Sequence, residues 1–275
     1  MRYAPTIEAT EHSPGIVITD DIQGSTTHIE TPSPVDPVPC DTDGFVFPVD
    51  AAVSLPVSAV RIPKFVNVTV RNRSGEVVAT AANRTAHRIE EGRYVVEVES
   101  LGVKVYLAVD GRLETSTDGT GRIVRTSADT VGLAARSRHE YPGATLTTTE
   151  APEDVMAAVS ALGSALKTTS PERSWPTLRG HPPLIEQGDR LEIPDAVTAA
   201  REDPQVTIEV PPRFEFIYPV ASLAFYLNAD LVPAETPRIV AGRTHDLATP
   251  DVETAARTAL ERIFLLDCVV RTEGF

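Results

Sequence analysis

The chain has 275 residues, 41% of them hydrophobic, and its 39 acidic against 25 basic residues leave a formal net charge of −14. This composition excludes an intrinsically disordered chain and supports one or two folded domains, because enough apolar residues are present to bury a core. The acidic balance argues against nucleic acid or an anionic membrane as the main partner, since both would be repelled.

Lysine is scarce, with three lysines beside 22 arginines. A large negative charge repels itself in a compact fold unless concentrated salt screens it. The sequence therefore predicts a halophilic protein of a high-salt cytoplasm. The N-terminal residues lack the positively charged segment and the following apolar stretch of an export signal, so no such signal is expected. No run of 18 apolar residues occurs, so no membrane-spanning helix is expected.

Residues 1–149 are predicted to form an all-β domain. Valines alternate with polar residues at 66–71 and 94–99, which is the pattern of strands with one buried face. The stretch 31–39 is not a central strand, because its four prolines lack the amide donors of a ladder. Turn-forming residues recur at close spacing, which favours an antiparallel sandwich or barrel. Further strands are predicted at 15–20, 26–31, 59–62, 76–80, 103–109, 123–127 and 144–149.

Residues 150–275 are predicted to form a smaller α/β domain, because the hydrophobic period becomes helical near residue 150. Pro152 opens a helix with apolar residues on one face, namely Val155, Val159, Leu162 and Leu166. Strands are expected at 190–193 and at 206–210, and residues 214–218 run into a helix that is expected over 220–227. A hairpin is expected at 238–247.

The clearest predicted helix is the last one, with Thr249 as its N-cap and Pro250 at its first position. It runs into the apolar stretch 264–270. An apolar end is unusual for a complete domain, so we expect the chain to continue into a longer protein.

A proline-rich loop, 170–186, carries four candidate binding residues, Arg173, Trp175, Arg179 and His181. Indole and guanidinium groups supply much of the binding energy of an interface when a partner's pocket receives them. The alternative is that Trp175 fixes the loop onto its own domain. The favoured function is a non-catalytic binding or regulatory module that contacts a protein partner or a downstream effector domain. No cofactor is predicted.

Four stretches form a recognisable pattern: FPVDAAV at 47–53, DVMAAVSALGSALKTTSPERS at 154–174, LRGHPPLIE at 178–186 and YPVA at 218–221. Together they resemble the N-terminal region of long, uncharacterised proteins from halophilic archaea. In that family a caspase-like domain of the CHAT type lies well downstream and carries the catalytic His and Cys. The resemblance implies that this chain is the non-catalytic front of such a protein.

The alternative function is a caspase-like cysteine peptidase that uses Cys268 and His181. Gly180-His181 resembles the Gly-His step of such enzymes, and 264–268 resembles their apolar strand that ends in the nucleophile. A thiolate needs a base within hydrogen-bond reach. Because Cys268 falls within the helical pattern, no catalytic residue is assigned under the favoured hypothesis.

Two short motifs are expected to be turns. Asp41-Thr42-Asp43-Gly44 begins like a calcium-binding loop, but no glutamate stands at the twelfth position. Asp118-Gly119-Thr120-Gly121 lacks the full glycine pattern and the following helix of a phosphate-binding loop. Cys40 and Cys268 lie far apart, without metal-ligand spacing, so no metal site is predicted.

Overall fold

A computed structural model describes residues 4–82 and 84–272 of the chain. The chain divides into two compact units, Arg2–Arg138 and His139–Phe275. The division at 138/139 differs from the predicted one at 149/150, because the strand at Thr145–Thr148 pairs within the second unit, with the strand at Leu184–Gln187. The fold is mixed and rich in strands, as predicted.

The first unit is built from one twelve-stranded sheet in which every pairing is antiparallel. Within the part that the structure describes, this unit contains no helix. Its strands are β1 (Thr6–Ala9), β2 (Gly15–Asp20), β3 (Ser25–Glu30), β4 (Val38–Pro39), β5 (Ala51–Leu55), β6 (Ala59–Ile62), β7 (Val68–Asn72), β8 (Val77–Ala81), β9 (His87–Val98), β10 (Lys104–Asp118), β11 (Gly121–Thr126) and β12 (Val131–Arg136).

The long hairpin of β9 and β10 organises this sheet. Along one edge β10 pairs with β9, and along its other edge the first half pairs with β12 and the second half with β11. Two series of strands, here called the arms of the sheet, therefore extend from this hairpin. The first arm is β1-β2-β3-β6-β11 and the second is β12-β5-β4. On the other side of the hairpin, β7 pairs with β9, and β8 pairs with β7. The proline-rich stretch contributes only β4, at the end of an arm.

The dipeptide Asp110-Gly111 is typical of a hairpin turn, but no turn forms there. Both residues lie inside β10, where the register with β9 shifts between Gly111 and Leu113. Gly111 has φ +98, a conformation that glycine adopts without steric cost. The strand can therefore bend at a bulge and continue, instead of ending.

Residues from both arms enter one core cluster, to which Ile18, Leu55, Ile62, Leu107 and Leu133 contribute fully buried side chains. The strands were predictable from alternation because one face of each is buried in this cluster.

The cation of Arg122 is buried beside this core. The Arg122 side chain, on β11, has no exposed surface. It donates hydrogen bonds to the backbone carbonyls of Val66 (3.2 Å), Ala81 (3.1 Å) and Thr85 (2.9 Å). Burial lowers the pKa of the Arg122 guanidinium. The side chain thereby joins β11 to the segment before β7, to the end of β8 and to the segment that follows β8.

The second unit alternates short strands and helices. Its elements are β13 (Thr145–Thr148), α1 (Pro152–Ala161), β14 (Leu184–Gln187), α2 (Asp195–Ala200), β15 (Thr207–Val210), α3 (Phe214–Leu227), β16 (Asp230–Pro233), β17 (Arg238–Ala241), β18 (Arg243–Asp246) and α4 (Val252–Val270). Three 3-10 turns lie at Leu162–Ala165, Pro171–Ser174 and Pro176–Leu178. None of the helices in the described residues is long and apolar enough to cross a bilayer.

A four-stranded sheet in the order β16-β15-β17-β18 forms the centre of this unit. β15 pairs in parallel with β16 and antiparallel with β17. The predicted hairpin at 238–247 is confirmed as β17 and β18, joined at Gly242 with φ +68. Helices α1, α3 and α4 pack their apolar residues into the same core cluster as the sheet.

Three predictions for this unit were wrong. Residues 190–193 are not a strand, because only Glu192 pairs there, in an isolated bridge to Thr147. Helix α3 begins at Phe214, six residues before the predicted start at 220, since Ile217, Val220, Ala224 and Leu227 repeat at helical spacing. The N-cap of α4 is Asp251, not Thr249, because its side chain accepts a hydrogen bond from the Thr254 amide at 2.9 Å.

Candidate functional site

Helix α4 carries the features from which the candidate site is built. Asp267, on its inner face, is 7% exposed and accepts hydrogen bonds from the Tyr226 hydroxyl (2.7 Å) and from Nε of Arg173 (2.9 Å). Burial raises the pKa of Tyr226, and its hydrogen bond to Asp267 adds to the shift, so the hydroxyl remains a donor. The Arg173 guanidinium also lies over the Tyr226 ring, 4.8 Å from its centroid.

Three of the four candidate binding residues join the 3-10 turns of residues 171–178 to α4. Arg173 does so through Asp267. The half-buried Trp175 ring packs under the guanidinium of Arg271, 5.1 Å away. Arg179 stacks on Phe264 at 5.5 Å and donates to the carbonyls of Arg173 and Ser174 (3.0 and 2.7 Å). These side chains therefore hold the turns and α4 in one arrangement.

His181, the fourth candidate, is exposed. One ring nitrogen, Nδ1, lies 2.7 Å from the carbonyl oxygen of Pro182. Cys268 is half-buried in the last turns of α4, where Nη1 of Arg271 lies 3.6 Å from its sulfur. In the described residues no hydrogen bond joins His181 to Cys268, so the structure does not bring the thiol and the imidazole together as a dyad.

A second histidine, His139, lies beneath this loop. Its residue is 1% exposed, its carbonyl accepts a hydrogen bond from the His181 amide at 2.6 Å, and a side chain at Gly180 would collide with its ring. Burial lowers the pKa of His139 to about 3, and the charges of Lys167 and His181 add to the shift. His139 is therefore a neutral packing residue near neutral pH.

We expect His139 to make folding sensitive to acid. Its folded pKa of about 3 lies below the usual 6.5, so its stabilising effect is complete above pH 6.5 and is lost as the pH falls towards 3. The loss amounts to about 2 kcal/mol between pH 7 and pH 5. His139→Asn, which suits the φ of +49, should flatten this part of the stability profile, measured by urea unfolding. His28→Asn, at an exposed position, should leave the profile unchanged, and equal slopes in all three proteins would contradict this role.

The two short motifs are turns. Asp41 and Asp43 are exposed beside a turn closed by the Phe45 amide and the Thr42 carbonyl at 3.2 Å. Gly119 has φ +52 at the tip of the β10–β11 hairpin. Across residues 4–82 and 84–272, no cluster of three or more His, Cys, Asp or Glu side chains is placed to bind a metal ion.

The opposite face of α4 carries an apolar surface that the prediction of binding residues did not include. Leu265, Leu266, Val269 and Val270, here called the exposed patch, are 60–71% exposed. Apolar residues this exposed are common singly, but four together on one helix are typical of an interaction surface. The signal is in the sequence, because Leu265 and Val269, at the centre of this surface, lie on the side of the helix away from Ala256 and Asp267.

A cleft of about 710 Å³ adjoins the same helix. Ala255, Ala259 and Ile263 of α4 form one wall, and Ile239 of β17 and Leu247 contribute to the other. The side chains that line the cleft are mostly apolar, with His245 and Arg262 among the polar ones. The cleft lies entirely within the second unit.

Comparison with protein-family models, with curated proteins and with solved structures found no match for this chain. What the site can do therefore follows from its geometry. The cleft and the exposed patch offer apolar contact area, whereas the polar groups of the 171–178 turns are engaged with α4. Such a surface suits binding of another apolar surface.

Proposed function

We propose that the chain is a non-catalytic binding module whose second unit holds a protein partner through the outward face of α4. The observation that carries this proposal is the exposed patch, since Leu265, Leu266, Val269 and Val270 lose water contact only when something covers them. Four side chains of this size expose on the order of 400 Å² of apolar surface. That is at the upper end for a surface without a binding role.

The candidate binding residues of the loop act in this proposal as positioning residues. Arg173 and Asp267 fix the inner face of α4, and Arg179 and Trp175 fix its last turns through Phe264 and Arg271. A helix held at several points loses little conformational freedom when a partner binds, which favours affinity. His181, which is exposed, lies on the same loop and is available for a further contact.

The setting of the module is part of the proposal. The net charge of −14 and the scarcity of lysine support a high-salt cytoplasm. The resemblance to the front region of haloarchaeal proteins with a CHAT domain supports a link to a downstream effector. The first unit is proposed to be an antiparallel β-sandwich that serves as a scaffold, which is supported by the core cluster shared by both arms of its sheet.

The cysteine peptidase hypothesis is not carried forward as a second function. Cys268 lies within helix α4 with Arg271 against its sulfur, and His181 bonds to its own loop. No observation in the described residues favours a nucleophile and base at this place.

The proposed function is tested by affinity capture from an extract of the source cells in molar KCl. The bait is the full chain with Leu265→Asp and Val269→Asp, compared with the unmodified chain. We expect the double variant to lose the proteins that the unmodified chain retains, because two carboxylates at the centre of an apolar contact are costly to bury.

Val77→Asp and Val78→Asp, on the exposed surface of β8, provide the matched control and should change nothing. Circular dichroism checks that all three proteins are folded. Capture of the same proteins by the unmodified chain and by the α4 variant would contradict a contact through this face.

A further inference from the structure

The cleft and the exposed patch lie on one face of α4. Ala255, Ala259, Arg262, Leu266 and Val269 follow one another at spacings of four, three, four and three residues. This is the spacing of a helix seam that packs against another helix. The first half of the seam is recessed in the cleft and carries small side chains, whereas the second half is exposed and carries large ones.

The small recessed side chains of the first half leave room for the large exposed side chains of the second half. The surface is therefore complementary to a second copy of itself. When two such helices run antiparallel about a two-fold axis near Arg262, Val269 of one lies opposite Ala255 of the other, and Leu266 lies near Thr258 and Ala259. Because the operation is symmetric, each copy fills the cleft of the other. We propose that the partner of this surface is a second copy of the chain, bound through an antiparallel pair of α4 helices. This inference rests on the proposed binding role of α4 and names its partner.

The contact area agrees with a specific pair. Each copy contributes its exposed patch and the walls of its cleft, so that two copies together bury on the order of 1,200 Å². That is the size at which specific protein interfaces begin. Large side chains against alanines also allow close packing of the two helices, since the alanines leave the space that Leu266 and Val269 occupy.

The two-fold axis places Arg262 of one copy beside Arg262 of the other. Arg262 is exposed, and its long side chain can turn the guanidinium towards solvent, which limits the repulsion between the two charges. Elsewhere the net charge of −14 on each copy opposes association. Molar salt shortens the range of this repulsion to about 3 Å and leaves apolar contacts intact. The pair is therefore expected to strengthen as salt rises.

Sedimentation velocity of the full chain in low and in molar KCl measures the association. We expect a mass of twice 29.6 kDa in molar KCl and a larger monomer fraction in low salt. Leu266→Asp with Val269→Asp should weaken the dimer at least 100-fold. Ala259→Trp, which fills the cleft instead, should do the same, while Val78→Asp should leave the dimer unchanged.

The direction of pairing is tested by cross-linking in a background with Cys40→Ser and Cys268→Ser. Ala255→Cys together with Val269→Cys should form a covalent dimer on mild oxidation, and each single cysteine should not. Covalent dimers from the single variants would overturn the antiparallel arrangement.

A monomer in molar KCl would overturn the second copy as partner, even where capture of other proteins still depends on Leu265. In that case the binding role of α4 would stand. Failure of the binding role itself would be recognised by capture that does not depend on Leu265 and Val269.

Discussion

Arg122→Met is expected to lower the free energy of unfolding by on the order of 3–5 kcal/mol. The guanidinium is fully buried and donates to the carbonyls of Val66, Ala81 and Thr85. Methionine fills similar space but offers no donor. Three carbonyls would then be buried without these hydrogen bonds, and each such loss costs about 1–3 kcal/mol before relaxation.

Urea unfolding followed by circular dichroism measures this effect. Arg125→Met, on the same strand but exposed, is the matched control and should change stability by less than about 0.5 kcal/mol. Arg122→Lys should fall between the two, because an ammonium keeps the charge without the planar fork that reaches three acceptors. Equal stability of the Arg122→Met and Arg125→Met proteins would show that the buried cation is dispensable.

Asp267→Ala is expected to destabilise the second unit by on the order of 3–5 kcal/mol, because it leaves the Arg173 charge without its buried partner. The side chains of Arg173 and Asp267 are 12% and 10% exposed, so solvent screens this pair little. The Tyr226 hydroxyl loses its acceptor in the same variant. The 171–178 turns should also loosen from α4, which hydrogen exchange of their amides would report.

A double-mutant cycle separates the pair from its surroundings. Arg173→Met with Asp267→Ala should be more stable than Asp267→Ala alone, since no unpaired charge remains. Glu261→Ala, on the exposed side of the same helix, is the control and should have a small effect. Additive losses from Arg173→Met and Asp267→Ala would contradict an energetic coupling between the two side chains.

Much of the first unit could be predicted because its strands have one buried face and one polar face. The predicted bounds 15–20 and 59–62 coincide with β2 and β6. The full length of the β9–β10 hairpin was not predictable. The Asp110-Gly111 dipeptide is typical of a turn, and only the continued pairing of β9 with β10 makes it a bulge within a strand. In the second unit, α4 was evident from its spacing, while the predicted start of α3 at 220 omits its first six residues, where Phe214, Phe216 and Tyr218 have lower helix propensity.

The candidate site was predicted less well than the fold. Arg173, Trp175 and Arg179 were singled out by residue type, but type alone does not show whether a guanidinium meets a partner or its own helix. The partners Asp267, Phe264 and Arg271 are more than 80 residues away in sequence. The apolar end of α4 is visible in the sequence, but residue type alone does not show which of its side chains remain exposed on the helix.

The hairpin of β9 and β10 has a consequence for how the first unit comes apart. β10 pairs with β12 through its first half and with β11 through its second half, and β9 pairs along both halves, so both arms depend on this one hairpin staying in place. Partial opening should therefore be confined to the outer strands β1, β4 and β8, and the amides of Val96 and Leu107 should exchange only when the whole unit melts at once.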